Sequence, residues 1–381
     1  MDKVDELLTR GVSEVLPEKS GLEKLISSKK IRVYLGVDPT GTRLHLGHTI
    51  PLRKLNEFAQ AGHEAILVIG TGTVLAGDPS QRATGRQKIT KEQIDENIKT
   101  WKEQAGKVVD LTKVKIRQNG DWLLKLSLAD ILEIASHISA FQLIKRDMFQ
   151  RRIDAGDMVS VKETLYPLLQ GYDSVAMDVD LEIGGTDQTF NMLIGRELQK
   201  KMNNREKYVL TTPLINGTDG KPMSKSSGNC IWLDDSAADM FGKIMAISDS
   251  EIESYWINLT DLPKEDLKPM AAKKKLAAEI VKTYHGEESA KKAQEQFEQL
   301  FQKGGVSQNI PEIKVSQPSV ELVDFLVENN LAPSKSEAKR LISSGAIEVD
   351  GQVIDETEIE FTNNQVMRVG KHKFVRIITD K

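Results

Sequence analysis

Ile31-Arg32-Val33-Tyr34-Leu35-Gly36-Val37 is an apolar run bounded by the turn residues Asp38-Pro39-Thr40-Gly41, and it reads as a strand. Downstream, Thr49 to Gln60 carries Leu52, Leu55 and Phe58 at helical spacing, with Pro51 tolerable in a first turn and Ala61-Gly62 as the stop. Ala65-Ile66-Leu67-Val68-Ile69 follows as a continuous apolar run, the pattern of a parallel strand buried on both faces. Strand, helix and strand make a βαβ unit, which favours a doubly wound parallel α/β sheet. Ligands of such sheets bind beyond the carboxyl ends of the strands, so the turn after Val37 and the segment Thr71 to Ser80 are expected to converge on one site.

Beyond this unit, Thr90 to Gln170 is rich in helical periodicity, notably Ile98 to Val109 and Ala129 to Arg152. Strand-like segments return at Leu181-Glu182-Ile183 and Val209-Leu210, and Ser236 to Phe301 is helical again. The Gly, Ser and Pro residues of 303–319 have linker composition. A small module closes the chain, with a helix near Ser336 to Ser343 and strands near Ile347-Glu348-Val349 and Lys373-Phe374-Val375-Arg376-Ile377. The expected division is 1–230 as a sheet domain with a helical insertion, 231–302 as a helical domain, 303–319 as linker and 320–381 as a small α+β module.

Composition narrows the function classes. With 381 residues and 39% hydrophobic content the chain can bury at least one full core. No stretch reaches the roughly 20 apolar residues of a membrane helix, and Met1-Asp2-Lys3-Val4-Asp5-Glu6 lacks a signal-peptide profile, so the cytoplasm is expected and no membrane partner. Cys230 is the single cysteine, which excludes an internal disulfide and a cysteine-rich zinc site and points to packing. The formal net charge of -4 gives no general attraction to nucleic acid, so any RNA contact must use local basic patches.

Two short motifs carry chemistry. His45-Leu46-Gly47-His48 puts two imidazoles on one side of an incipient helix and removes a side chain between them, where a base or ribose can approach; the helix N-terminus favours phosphate. Histidines at this spacing also simply cap surface helices. His63, His137, His285 and His372 show no ligand spacing with the pair, so no metal site is expected. Met223-Ser224-Lys225-Ser226 lies in a polar loop whose lysine would stabilise phosphate charge only when the loop closes. A solvated turn has the same composition.

Taken together the two motifs resemble the signature of the class I aminoacyl-tRNA synthetases. Tyr34-Leu35-Gly36-Val37-Asp38-Pro39-Thr40, Gly77-Asp78-Pro79-Ser80, Tyr166-Pro167-Leu168-Leu169-Gln170-Gly171-Tyr172-Asp173 and Gly184-Gly185-Thr186-Asp187-Gln188 narrow this to the bacterial-type tyrosyl-tRNA synthetases. Ala332-Pro333-Ser334-Lys335-Ser336-Glu337-Ala338-Lys339-Arg340 and Gly345-Ala346-Ile347-Glu348-Val349-Asp350-Gly351 are similar to the RNA-binding module that ends many such enzymes and also occurs in a ribosomal protein. The resemblance covers nearly the whole chain. It implies a Rossmann-like catalytic domain, a helical anticodon-region domain, and a homodimer whose interface falls within 129–160.

It also implies roles. Tyr34 and Asp173 would read the substrate phenol, which phenylalanine would leave stranded. Thr73, Asp78, Tyr166 and Gln170 would surround the ammonium group of L-tyrosine, and Gln188 would face its carboxylate and the α-phosphate. Tyr166, Gln170 and Asp173 at i, i+4 and i+7 share one helical face. ATP would meet Asp38, Thr40, His45 and Lys225 at its phosphates, and Gly47, His48, Gly185 and Asp187 at base and ribose; Arg82 and Arg86 would engage pyrophosphate. Thr40, His45, His48 and Lys225 would be the catalytic set. The implied reaction forms tyrosyl-adenylate from tyrosine and MgATP and passes the tyrosyl group to tRNA(Tyr), without a protein nucleophile or tightly bound cofactor. Lys335, Lys339 and Arg340 offer positive charge to RNA phosphates. One position departs from the family pattern: Pro222 stands where a lysine commonly precedes the methionine, and Lys221 lies one residue earlier. Two rival readings are a sister enzyme for another aromatic amino acid and an RNA-binding relative without catalysis.

Overall fold

The computed structural model describes residues 3–79, 90–224, 227–301, 312–315, 319–329, 331–350, 352–354, 356–370 and 373–379. It divides into two units, Met1–Ala290 and Lys291–Lys381.

The first unit is built on a six-stranded sheet of β1 (Glu14–Leu16), β2 (Arg32–Val37), β3 (Glu64–Ile69), β4 (Val114–Gln118), β5 (Leu181–Gly185) and β6 (Tyr208–Thr212), in the order β1-β6-β5-β2-β3-β4. All neighbours from β6 to β4 are parallel, and β1 is antiparallel at the edge. The apolar runs account for this arrangement: Ala65 to Ile69 is buried throughout, as a strand covered on both faces must be. Chain order reverses between β2 and β5, and this switch point opens a crevice past their carboxyl ends.

Five helices matter for the crevice: α1 (Leu46–Gln60), α2 (Lys91–Ala105), α3 (Leu128–Ser136), α4 (Val161–Met177) and α5 (Thr189–Asn203). Helix α1 begins three residues before the expected Thr49, because His45 serves as its N-cap, so Pro51 lies inside the helix and removes one intrahelical donor. The periodicity of 98–109 belongs to α2, which ends at Ala105, and that of 129–152 breaks into α3 and the short helices Ala140–Ile144 and Asp147–Asp154. Helices α4 and α5 touch closely where two glycines face each other: a Cβ on Gly171 would come within 3.1 Å of the Gly195 backbone. The helical stretch 237–285 lies in the first unit with the sheet.

In the second unit Gln352–Val353, Ile347–Val349, Gln365–Val369, Lys373–Thr379 and Glu312–Val315 form one sheet in that order. Glu312–Val315 falls within the expected linker 303–319 yet pairs in parallel with Lys373–Thr379, its Val315 joining the module core. Helices Leu322–Glu328 and Lys335–Ser343 supply Leu322, Leu326, Ala338 and Ile342 to the same core. Among the described residues no helix is long and apolar enough to cross a membrane.

Candidate active site

Four strand ends and one helix face meet at the crevice. Asp38 follows β2, Thr73 and Asp78 follow β3, Asn119 and Trp122 follow β4, and Asp187 and Gln188 follow β5. Helix α4 carries Tyr166, Gln170 and Asp173, as their i, i+4 and i+7 spacing predicts.

Asp173 is buried and receives two hydrogen bonds, from Trp122 Nε1 to Oδ1 at 2.8 Å and from Asn119 Nδ2 to Oδ2 at 3.1 Å. Burial outweighs both donors and pushes its pKa up to about 8. Tyr34 is buried beside it, its hydroxyl 3.0 Å from Ser174 Oγ. Burial and then the charges of Glu182 and Asp173 hold the Tyr34 phenol well above its usual range, so it stays protonated.

A polar chain links this end of the crevice to Asp38. Asn119 Nδ2 also donates to Thr73 Oγ1 at 3.0 Å, and the Thr73 hydroxyl donates to Asp38 Oδ1 at 2.7 Å. The Gly72 amide donates to Asn119 Oδ1 at 2.7 Å, which fixes the amide's orientation. Gly70 is required here, since a Cβ would stand 1.9 Å from Asp38 Oδ1 and 2.4 Å from Thr73 Oγ1. Tyr166 is buried on the same side, and burial followed by the charges of Asp38 and Asp78 raises its pKa well above the usual phenol range. Gln188 Nε2 donates to Asp78 Oδ2 at 2.9 Å and to Asp187 Oδ2 at 3.1 Å. Its Oε1 accepts from Asn191 Nδ2 at 2.9 Å. Gln170 Nε2 donates to Glu182 Oε1 at 3.1 Å, and its buried Oε1 has no partner among the described residues, an acceptor that an ammonium ligand would satisfy.

At the other side of the switch point the two histidines sit ring against ring, with centroids 3.8 Å apart. The His45 amide donates to His48 Nδ1 at 3.1 Å, which leaves the neutral His48 ring its Nε2 proton to donate. Gly47 makes room for the His45 ring itself, because a Cβ there would lie 3.0 Å from His45 Nδ1. Gly185 plays a similar part for Asp187, whose Oδ1 would be 2.5 Å from an added Cβ. The turn before the histidines is held by α2: Asn97 donates to the Pro39 carbonyl at 2.7 Å, Trp101 to Gly41 at 2.6 Å and Gln104 to Thr42 at 2.8 Å. Thr40 lies in that turn, its amide 2.7 Å from the Asp38 carbonyl.

The second motif is anchored to the first. The Leu46 amide donates to the Ile231 carbonyl and the Leu233 amide to Leu44, each at 2.9 Å. Buried Asn229 knots the loop before it: Nδ2 reaches Asp219 Oδ1 at 2.8 Å and the Lys221 and Pro222 carbonyls at 3.1 Å, while Oδ1 accepts from the Ser224 amide at 3.0 Å. Pro222 opposes Asn216 in an isolated antiparallel bridge whose bonds run from the Gly217 amide to Lys221 and from the Met223 amide to Ile215. No donor is needed at position 222, so proline fits there. Lys225, Arg82 and Arg86 lie outside the described residues.

Asn119, Trp122, Asn229 and the α2 side chains escaped the sequence reading. Asn119 and Trp122 follow β4, whose alternation Val114-Lys115-Ile116-Arg117 is a strand signal inside a region read as helical. In the second unit Lys335 pairs with Asp324 at 2.5 Å and Arg340 with Glu337 through two bonds of 2.8 and 2.6 Å, whereas Lys339 is exposed. Among the described residues no group of three or more His, Cys, Asp or Glu side chains could hold a metal ion.

Residues 27–302 match a family model described as "tRNA synthetases class I (W and Y)", and residues 296–377 match "Tyrosine--tRNA ligase SYY-like C-terminal domain". Over 387 residues, covering 98% of this chain and 96% of the relative, the sequence is 43% identical to the tyrosine-tRNA ligase of Thermotoga maritima. That of Moorella thermoacetica is 39% identical over 98% of this chain and 95% of its own. Among solved structures, a C-terminally truncated mitochondrial tyrosyl-tRNA synthetase of Coccidioides posadasii is 26% identical with a TM-score of 0.61, covering 77% of this chain and 91% of that one. The tyrosyl-tRNA synthetase of Archaeoglobus fulgidus complexed with L-tyrosine, at 24% identity and a TM-score of 0.61, shares the fold over 77% of this chain and 99% of its own.

Proposed function

The chain belongs to the tyrosine-tRNA ligases of the class I aminoacyl-tRNA synthetases, and we propose that the crevice between β2 and β5 is where it activates tyrosine. The family activates tyrosine with ATP and charges tRNA with it. The observation that carries the site reading is the buried pairing of a phenol, Tyr34, with a carboxylate held by two donors, Asp173. A donor and an acceptor side by side in a dry pocket favour a ligand that carries a hydroxyl there.

Tyrosine then lies with its phenol at Tyr34 and Asp173 and its ammonium group among Asp78, Thr73, Tyr166 and the open acceptor of Gln170. Gln188, bonded to Asp78, stands where the substrate carboxylate would approach the α-phosphate. ATP extends across the switch point, with ribose and base at Asp187, Gly185, Gly47 and His48, and phosphates near Asp38, Thr40 and His45. With its Nδ1 accepting from the His45 amide, His48 would turn Nε2–H toward the ribose. Lys225, Arg82 and Arg86 complete the phosphate contacts on the strength of their motifs. Positioning and fixed donors supply the catalysis, since in-line attack by the tyrosine carboxylate needs no protein nucleophile. Mg²⁺ enters as the ion that ATP brings, held by its phosphates.

The rest of the proposal concerns assembly. The helical stretch 231–302 serves the anticodon region of tRNA, and 320–381 holds RNA backbone through Lys339, with Lys335 and Arg340 freed from their acidic partners. A homodimer forms through the apolar surface of 129–160, where Met158 is 80% and Phe141 71% exposed. The cytoplasm is the proposed location.

The test is amino-acid-dependent ATP–pyrophosphate exchange without tRNA, run with tyrosine, phenylalanine and tryptophan on the parent and Tyr34→Phe. Exchange with tyrosine alone, and a relaxed preference in Tyr34→Phe, supports the site reading; an unchanged preference in Tyr34→Phe overturns it.

A further inference from the structure

Behind the Tyr34 hydroxyl lies a layer of fully buried polar groups, Glu182, Lys207 and Ser174, to which the proposed reaction gives no part. Tyr34 on β2 and Glu182 on β5 are direct neighbours in register, and Lys207 precedes β6 on the same face. Ser174 on α4 covers them, and all four residues are at most 1% exposed. Lys207 Nζ forms a short ion pair with Glu182 Oε2 and donates to Ser174 Oγ at 2.8 Å. Ser174 Oγ is in turn 3.0 Å from the Tyr34 hydroxyl and 3.5 Å from Glu182 Oε2. The fold makes room for this layer: a Cβ on Gly195 of α5 would fall 2.6 Å from Lys207 Nζ and 3.0 Å from Ser174 Oγ.

Burying such a pair is a poor way to gain stability, since apolar side chains of similar volume commonly do as well or better. Its value here lies in the direction of the hydrogen bonds. An ammonium group only donates, so Ser174 must accept from Lys207 and spend its own proton elsewhere. The nearer acceptor is the Tyr34 oxygen, at 3.0 rather than 3.5 Å. Tyr34 therefore accepts from Ser174, and its own proton points away from Ser174. Glu182, whose charge acts on Tyr34, is the other acceptor nearby, and its two oxygens are already engaged, Oε2 by Lys207 and Oε1 by Gln170.

We propose that Lys207, Ser174 and Glu182 are positioning residues for amino acid selection, which hold Tyr34 as a hydrogen-bond donor toward the substrate phenol while Asp173 remains the acceptor. The proposal rests on the assignment of Tyr34 and Asp173 to the phenol. With the relay intact, a phenol oxygen accepts from Tyr34 and its proton goes to Asp173. Without it, Tyr34 can turn its proton to Ser174 or Glu182, and the ligand loses one bond.

The experiment compares Ser174→Ala, Lys207→Met and the double variant Glu182→Gln/Lys207→Met, whose glutamine oxygen still accepts from Gln170, with Tyr34→Phe, reading kcat and KM for tyrosine and for phenylalanine in pyrophosphate exchange. The double variant leaves no unpaired buried charge, so it keeps the test open if Lys207→Met alone does not fold. Expected is a rise in KM for tyrosine of about tenfold in Ser174→Ala and in the double variant, the effect of one lost hydrogen bond, with kcat and the phenylalanine reaction within about twofold. Adding Ser174→Ala to the double variant should cost nothing more, because Lys207 acts through Ser174. A general packing defect would depress both amino acids together and would overturn the proposal. So would unchanged selectivity in Ser174→Ala and the double variant while Tyr34→Phe loses it; if Tyr34→Phe also keeps its preference, the site reading itself has failed.

Discussion

Trp122 Nε1 donates to Asp173 Oδ1 at 2.8 Å, so the buried carboxylate proposed to meet the substrate phenol is held by an indole from just past strand β4. With Asn119 on the other oxygen, each carboxylate oxygen accepts one bond from the protein. The bonds fix the group without keeping it charged, since burial still raises its pKa to about 8.

Tyrosine binding should therefore be linked to a proton. At pH 6 to 7 most unliganded molecules carry a protonated Asp173, whereas a phenol that donates to Asp173 selects the carboxylate. Affinity should rise toward about tenfold per pH unit below 8 and level off above it, because only the competent fraction binds. Calorimetry in buffers of different ionisation enthalpy should show nearly one proton released per tyrosine bound at pH 7, and none in Asp173→Asn. Stability runs the opposite way. The folded pKa of about 8 lies above the ordinary aspartate value of 3.8, so the contribution is full below about 4 and is lost as pH rises through 8. The Tm of the unliganded protein should fall between pH 5 and 8 by more than that of Asp173→Asn.

Gly70→Ala should damage the ammonium end of the pocket without unfolding the sheet. The added Cβ would collide with Asp38 Oδ1 and Thr73 Oγ1, two side-chain atoms already locked to each other. Separating them breaks the Asp38–Thr73–Asn119 chain, and the expected result is a loss of roughly tenfold or more in kcat/KM for tyrosine, a charge-assisted hydrogen bond's worth. Exchange kinetics beside a circular dichroism melt checks it; a lower Tm with unchanged kcat/KM would contradict the placement.

How much of this was legible depends on which physical signal each element sends. Strands β2, β3, β5 and β6 announce themselves as apolar runs, and the βαβ unit announces a doubly wound sheet, whereas the reversal between β2 and β5 is seen only in the structure. Strand β4 hides, because at the sheet edge it is half polar, and with it Asn119 and Trp122 were lost from view. Tyr166, Gln170 and Asp173 shared a face by spacing alone. Glu182 and Lys207 could not be foreseen, since a charge inside an apolar strand reads as solvated until its partner on the next strand is known. The insertion 129–152 showed periodicity but not the breaks after Ser136 and Ile144.

Asn229→Ala should loosen the loop that carries Ser224. Its side chain makes four bonds that close the turn from Asp219 to Ser224, and alanine removes all of them. On the proposal that this loop acts on the phosphates as the transition state forms, single-turnover adenylate formation should slow by roughly tenfold or more, with the Kd of tyrosine unchanged. Pro222→Lys, at a bridge position that needs no donor, should change the same rate by less than about threefold. Equal effects of the two substitutions would remove Asn229 from its role as the loop's knot.

The apolar surface of the insertion offers the last test. Ile134, Ile138 and Leu143 turn inward onto Leu168, Ile194 and Leu198, whereas Leu128, Leu132, Phe141 and Met158 face outward on the same helices and the loop that follows. Core packing therefore uses one face only, and the other leaves large apolar side chains exposed, surface of the kind that a second copy can cover. Phe141→Asp places a charge on that patch while leaving the inward face intact. Sedimentation equilibrium should show dimers for the parent and monomers for Phe141→Asp, with Tm measured beside it to separate dissociation from unfolding. A parent that sediments as a monomer would refute the assignment, and a variant that stays dimeric would move the interface away from Phe141.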